Sequence, residues 1–353
     1  MAPAARSDTR TPAARIARRT AWPVLALALT LVAVALSLAV GSRPVPLSTV
    51  VDALLHGADG GGADGGGRDA LVVRSLRLPR TAVGLAAGAA LGLAGAALQA
   101  ATRNPLADPG ILGLSQGAAA GVVFAIATGS ANGFAGYVWY AFAGAVLAAC
   151  LVYAIATRGR GGADPVKLAL AGTALSAMIT GATTVALTSS SATLDQFRFW
   201  QVGALDGRDA GTVTRMLPFL AAGALLLLVC ARGLDGLVLG DETARALGHH
   251  VQRVRVTAAL GATLLTAAAV AAAGPIAFVG LAVPHLARRL VPDGHRWTLP
   301  MSALLGACLL LAADVAGRVV RPPGEVPAGV MTALVGVPAL IWLVRRRRAV
   351  GDA

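Results

Sequence analysis

The chain has 353 residues, 56% hydrophobic and 13% charged, with a mean hydropathy of +0.70, a balance that excludes an ordinary soluble domain. Its net charge of +13 would suggest nucleic acid in a soluble chain; here the positive-inside bias of membrane loops accounts for it, and no nucleic-acid partner is expected. Cys150, Cys230 and Cys308 all fall in apolar runs without metal-ligand or disulfide spacing, so no metal site and no cofactor is expected.

Residues 1–21 are rich in Arg, Ala and Pro and nearly free of acids, and read as a basic cytoplasmic tail. The apolar run that follows, Trp22 to Val40, exceeds the roughly 7–15 residues of a cleaved signal core, which favours an uncleaved first span. In all, apolar runs predict ten spans, at about 22–41, 82–100, 111–129, 136–157, 166–188, 214–232, 251–273, 275–291, 299–315 and 328–344. The expected organisation is an all-α polytopic membrane protein with one transmembrane domain over 22–345 and a cytoplasmic tail over 346–353.

Between the first two spans, Gly57 to Arg68 repeats Ala-Asp-Gly-Gly-Gly and reads as a flexible extracytoplasmic linker. Arg77 and Arg80 precede the second span. Within it, Gly84, Gly88, Gly92 and Gly95 recur at steps of three and four, as do Gly113, Gly117 and Gly121 in the third. Each set defines one helix face suited to close packing in lipid. The segment between, Asn104-Pro105-Leu106-Ala107-Asp108-Pro109-Gly110, is a breaker-rich turn in which Asp108 is placed to cap the third span and which borders a possible inner gate.

Lys167 is the sole lysine of the chain, so a phosphate loop of the G-x-x-x-x-G-K-[ST] kind cannot be assembled, and an ATP-driven activity would need a motor on another subunit. The stretch Leu239-Gly240-Asp241-Glu242-Thr243-Ala244-Arg245-Ala246-Leu247-Gly248 is a polar, helix-capable island between two long apolar runs. Asp241 sits at an N-cap position and Gly248 at a C-terminal stop; Ala244 and Leu247 share one face, Glu242 and Arg245 another. Such a helix either lodges in a groove on a partner or is an ordinary surface helix.

Gly274-Pro275 and Pro284 bracket the short eighth span, where irregular backbone requires burial in protein or a cavity. His285 and the adjacent His249 and His250 lack a second ligand at chelating spacing. Asp314 is the acid that falls clearly inside an apolar run, and lies one turn from Arg318, a spacing suited to an ion pair. With the N-terminus inside, 20 of the 30 basic residues fall on inner segments, which places both termini and the 239–248 loop in the cytoplasm and Arg77, Arg80 and Arg318 outside.

Together with Arg77-Leu78-Pro79-Arg80, the Asn104–Gly113 segment, Gly274-Pro275-Ile276-Ala277-Phe278-Val279-Gly280-Leu281-Ala282-Val283-Pro284-His285 and Ala313-Asp314-Val315-Ala316-Gly317-Arg318, the island resembles the FecCD family of ABC importer permeases, in the family's order from Arg77 to Trp342. The resemblance implies the BtuC-like type II ABC importer fold in the bacterial cytoplasmic membrane, a second permease subunit, cytoplasmic ATPase subunits and an extracytoplasmic substrate-binding protein. It further implies that Leu239–Gly248 enters a cleft on the ATPase, with Asp241 where the family usually has Glu, and that Arg77, Arg80 and Arg318 receive acids of the binding protein. The alternative is that those arginines simply anchor helix ends at the headgroups. The implied cargo is an iron(III)–siderophore, with haem or cobalamin as the alternative. An ion-coupled secondary transporter, which would want acids near the midplane, is the rival of another class.

Overall fold

A computed structural model describes residues 12–41, 45–56, 66–130, 133–158, 165–322 and 324–338, and among these every regular element is helical. Residues 1–11, most of the glycine-rich linker and the basic tail from 339 onward lie outside the described residues. Among the described residues, seven helices are long and apolar enough to cross a membrane: α1 (Pro12–Ala39), α4 (Leu78–Ala101), α6 (Gly133–Thr157), α7 (Pro165–Thr188), α9 (Ala210–Val229), α12 (Val251–Ala273) and α14 (His295–Val320).

Two expected spans change form. The 111–129 run contributes only α5 (Leu114–Thr128), because Pro109–Leu112 is a 3-10 turn and Gly113 adopts φ +73°. The 275–291 run contributes the 12-residue α13 (Val279–Leu290), since the backbone from Gly274 to Phe278 is not helical. The last run is helical over Ala328–Pro338, here α15, and its remaining residues to 344 lie outside the described residues. Four short helices were not expected from hydropathy: α2 (Leu47–His56), α3 (Gly66–Val72), α8 (Ser191–Gln201) and α10 (Ala231–Val238). Helix α1 also starts at Pro12, well inside the expected tail.

Helices α4 and α12 form the buried axis of the molecule, and α4 packs on α14, α13, α12 and α9. The glycine steps explain how α4 fits there. A Cβ on Gly88 would lie 2.5 Å from the Gly306 carbonyl oxygen of α14, and one on Gly95 would collide with the Gly280 backbone of α13. Gly117 and Gly121 seat α5 on Gly144 and Tyr140 of α6 in the same way. Gly113 leaves this ridge and serves the turn instead. Backbone contact this close supplies packing where lipid offers no hydrophobic drive for association. The peripheral helices keep apolar residues on their outer faces: Leu29, Leu147, Leu170, Val185 and Leu225 are exposed.

Candidate functional site

The island begins on α10, whose Leu234 and Leu237 are buried while Val238 and Leu239 are exposed. Gly240 turns the chain at φ +106°, and α11 runs from Asp241 to Ala246. Asp241 is therefore the first helical residue rather than the N-cap, which falls to Gly240, and its side chain makes no cap hydrogen bond. Its Oδ1 instead lies 2.9 Å from Nη2 of Arg255 on α12 and 3.5 Å from Nη2 of Arg103. A carboxylate at this end of a helix also complements the positive end of the helix dipole.

The far end of α11 is as expected in kind. Gly248 takes φ +82°, its N–H donates to the Arg245 carbonyl at 2.9 Å, and the His249 N–H reaches the Ala244 carbonyl at 2.9 Å. That pair of bonds is a Schellman close, which needs the left-handed residue glycine supplies. The face shared by Ala244 and Leu247 does not hold together: Ala244 is buried, whereas Leu247 is 60% exposed. Leu239, Glu242, Thr243, Arg245, Ala246, Leu247 and Gly248 are all exposed. Beside them opens a cavity of about 740 Å³ bordered by Arg103, Pro105, Asp235 and His295. There His295 Nδ1 meets Asp235 Oδ1 at 2.6 Å and ties the start of α14 to α10.

The segment between α4 and α5 folds back on itself. Asn104 accepts from the Leu106 N–H at 2.9 Å, its carbonyl takes the Ala107 N–H, and Pro105 holds the corner. Asp108 caps the 3-10 turn through the Gly110 N–H at 2.8 Å, with Pro109 at the first helical position. Gly280 sits against Pro109 and the Asp108 carboxylate, about where Leu91 passes, so this turn reaches into the bundle instead of lying at its end.

Pro284 is inside α13 and buried. It cannot donate to the Gly280 carbonyl one turn back. That oxygen takes a bond from Nε2 of Gln99 at 3.3 Å, the Leu281 carbonyl takes another at 3.1 Å, and the Gln99 amide oxygen is in turn bonded by Arg288. Sequence reading missed Gln99; its signal was one buried amide in an otherwise apolar glycine-ridged helix. At the other edge of this break, Gly274 ends α12 at φ +75°, and the Pro275 carbonyl packs on Gly203.

At the opposite end of the bundle Arg77, Arg80 and Arg318 converge, turned inward. Arg77 donates to the Leu38 and Ala39 carbonyls at 2.7 and 2.8 Å, and Arg318 to those of Ser37 and Val40 at 2.7 and 2.9 Å. These are the carbonyls that the end of α1 leaves without helical partners, so two cations close its negative terminus. Asp314, wholly buried, takes a two-pronged bond from Arg80 at 2.8 and 3.0 Å and pairs with Arg318 at the expected one-turn spacing. Arg80 also reaches Glu325 at 2.7 Å, at the edge of a cavity of about 440 Å³. In the nearby 202–209 loop, burial pulls the Arg208 guanidinium down to about 10, opposed by Asp206 and reinforced by Arg80. Sequence reading paired Asp314 with Arg318 but had no signal for Arg80, which is more than 230 positions away.

The arrangement is a glycine-packed bundle with a broken helix, an inward arginine cluster at one end and a projecting loop helix at the other. The family model of the FecCD transport family matches residues 29–346. The chain belongs to that family. It is a membrane-embedded permease subunit of an ABC importer, a transport component and not an enzyme. It is 44% identical over 333 residues to the ferric enterobactin transport system permease protein FepD of Escherichia coli, covering 94% of this chain and 97% of that one. It is 41% identical over 277 residues to the cobalamin import system permease protein BtuC of Halobacterium salinarum, covering 78% and 74%. Among solved structures, an inward-facing metal-chelate type ABC transporter superposes with a TM-score of 0.79 at 27% identity, covering 92% of this chain and 99% of that chain.

Proposed function

We propose that this permease imports an iron(III)–siderophore across the bacterial cytoplasmic membrane, with both termini in the cytoplasm, working with a second permease subunit, cytoplasmic ATPase subunits and an extracytoplasmic binding protein. The observation that carries the cargo is the likeness to a ferric enterobactin permease along nearly the whole of both chains. The loop Leu239–Gly248 is the coupling element: Leu239 and Leu247 present apolar side chains to a cleft on the ATPase, with Glu242 and Arg245 at its rim. Asp241 holds that loop to α12 through Arg255, so a push on α11 is passed to the buried axis.

Arg80, with Glu325 beside it, is the accessible member of the arginine cluster and the contact for an acid of the binding protein. Arg77 and Arg318 are 6% and 2% exposed and act by holding α1 and Asp314 in place around it. The turn Asn104–Gly110 and the break Gly274–Phe278, with Pro284 beyond it, are the flexible borders of the gate. The Asp314 carboxylate is engaged by two arginines, which disfavours a proton- or cation-coupled mechanism built on it.

The test is uptake of radiolabelled cargo by cells whose own permease genes are deleted and which express this chain with its partners. A tris-catecholate iron chelate should accumulate, vanadate should stop it, and a protonophore should not. Accumulation of cobalamin or haem instead of the chelate overturns the cargo. Uptake that a protonophore abolishes and vanadate spares overturns the ATP-driven mechanism.

A further inference from the structure

A cavity of about 300 Å³ opens between α6 and α12, floored by Leu98 of α4 and closed at one side by Leu168 of α7. Its walls, from Val146 to Ala154 on α6 and from Val256 to Leu264 on α12, are almost wholly apolar. Each wall spans eight residue steps, about 12 Å of helix, so the cavity is long and narrow. A methylene occupies about the volume of a liquid water molecule, roughly 30 Å³, so the space takes a chain of about ten carbons. The helix surfaces around the mouth are apolar and open: Leu147, Leu151, Leu170 and Leu260 are all exposed.

One end of this groove is polar. Tyr153 Oη accepts from Gln252 Nε2 at 3.0 Å, and the stem of Arg255 forms part of the wall. Arg253 lies three residues before the lining Val256 on the same face of α12, and Arg158 directly follows the end of α6, four residues past the lining Ala154. Both are exposed, and neither makes an ion pair among the described residues. An apolar slot among exposed apolar helix faces, ending beside two cations without an ion pair among the described residues, is complementary to one molecular class.

We propose that the groove binds an anionic phospholipid, one acyl chain between α6 and α12 and the phosphate between Arg158 and Arg253. The chain then packs along the stem of Arg255, whose guanidinium carries the contact to Asp241 on the loop helix. Bound lipid keeps that arginine extended, and the loop helix is held to α12 more firmly when the groove is full. Lipid binding stands apart from the importer's cargo; the effect on coupling rests on the coupling role proposed above.

Native mass spectrometry of the delipidated permease–ATPase complex tests the site, with phosphatidylglycerol and phosphatidylcholine of identical chains as probes. One phosphatidylglycerol should be retained per permease, favoured over phosphatidylcholine by roughly fivefold for each arginine engaged. The double variant Arg158→Gln, Arg253→Gln should bring the two lipids to parity, and Ala149→Phe, which fills the groove, should remove both. Equal binding of the two lipids by the unaltered chain, or phosphatidylglycerol binding unchanged in both variants, overturns the site. If Ala149→Phe fails to fold, the double variant at exposed positions still decides. ATPase activity read on the same samples separates the second step: saturation with phosphatidylglycerol that leaves it unchanged overturns the link to coupling and leaves the lipid site standing.

Discussion

The two ends of this molecule use charge in opposite ways. At the arginine end, Arg77, Arg80 and Arg318 point inward, and their partners are an acid at zero exposure and the carbonyls of a helix terminus. At the loop end the charges of Glu242 and Arg245 stand outward, exposed apolar groups stand with them, and a single partly buried carboxylate, Asp241, ties the loop back. The first arrangement fixes three helices, α1, α4 and α14, as one unit. The second leaves a small helix hanging by two arginines. A buried charge needs all its partners, whereas an exposed one contributes little to stability and is free for contact with another protein.

The comparison can be broken by substitution. Gly88→Leu lies between the ends and should have the largest effect, because its side chain meets the Gly306 backbone; no folded protein should be recovered, while Gly181→Leu, which meets nothing within 4 Å, should behave as the unaltered chain on size exclusion. Asp314→Ala should follow, at about 3–5 kcal/mol, since it strands two largely buried arginines; loss of thermal stability in detergent measures it. If Asp314→Ala melts like the unaltered protein, the arginine end is not the structural lock described.

Leu247→Asp should leave melting unchanged and lower transport at least about tenfold, the cost of losing roughly 1.4 kcal/mol of contact with the ATPase. Normal transport by this variant would return the loop to an ordinary surface helix. Asp241→Asn should cost at most about 1 kcal/mol of stability, being a partly exposed pair, yet reduce the coupling of ATP hydrolysis to uptake. The smallest effect belongs to Glu325→Gln, where stability should shift by less than about 1 kcal/mol and binding-protein stimulation should rise slightly, most visibly at low salt, because an acid that competes for Arg80 is gone.

Much of this was legible in the chain. Glycines at steps of three and four marked the α4 and α5 packing faces, and the run Asn104–Gly110 carried its own turn chemistry in Pro105, Asp108 and Pro109. Gly248 announced a helix stop. The Asp314–Arg318 pair was visible because both residues sit on one helix. Less legible was where an apolar run stops being a helix: Gly113 and the Gly274–Phe278 break shorten two expected spans, and hydropathy is blind to backbone direction. The arginines were found, but their orientation was not. A local reading sees a cation at a helix end and cannot see that the end of α1, about 40 residues before Arg77, brings its bare carbonyls to the same place.

The sequence by itself determined the class of molecule, its glycine-packed helices, the absence of its own phosphate loop and the position of the polar island, because each depends on composition or on spacing within a single element. The tertiary structure decided which partner each polar group takes. Asp241 turns to Arg255 instead of capping its helix, Gln99 fills the bond that Pro284 leaves open, and Arg80 closes on Asp314 across the bundle. A buried polar group in an apolar bundle takes whatever partner packing brings within reach, and only the fold sets what is within reach.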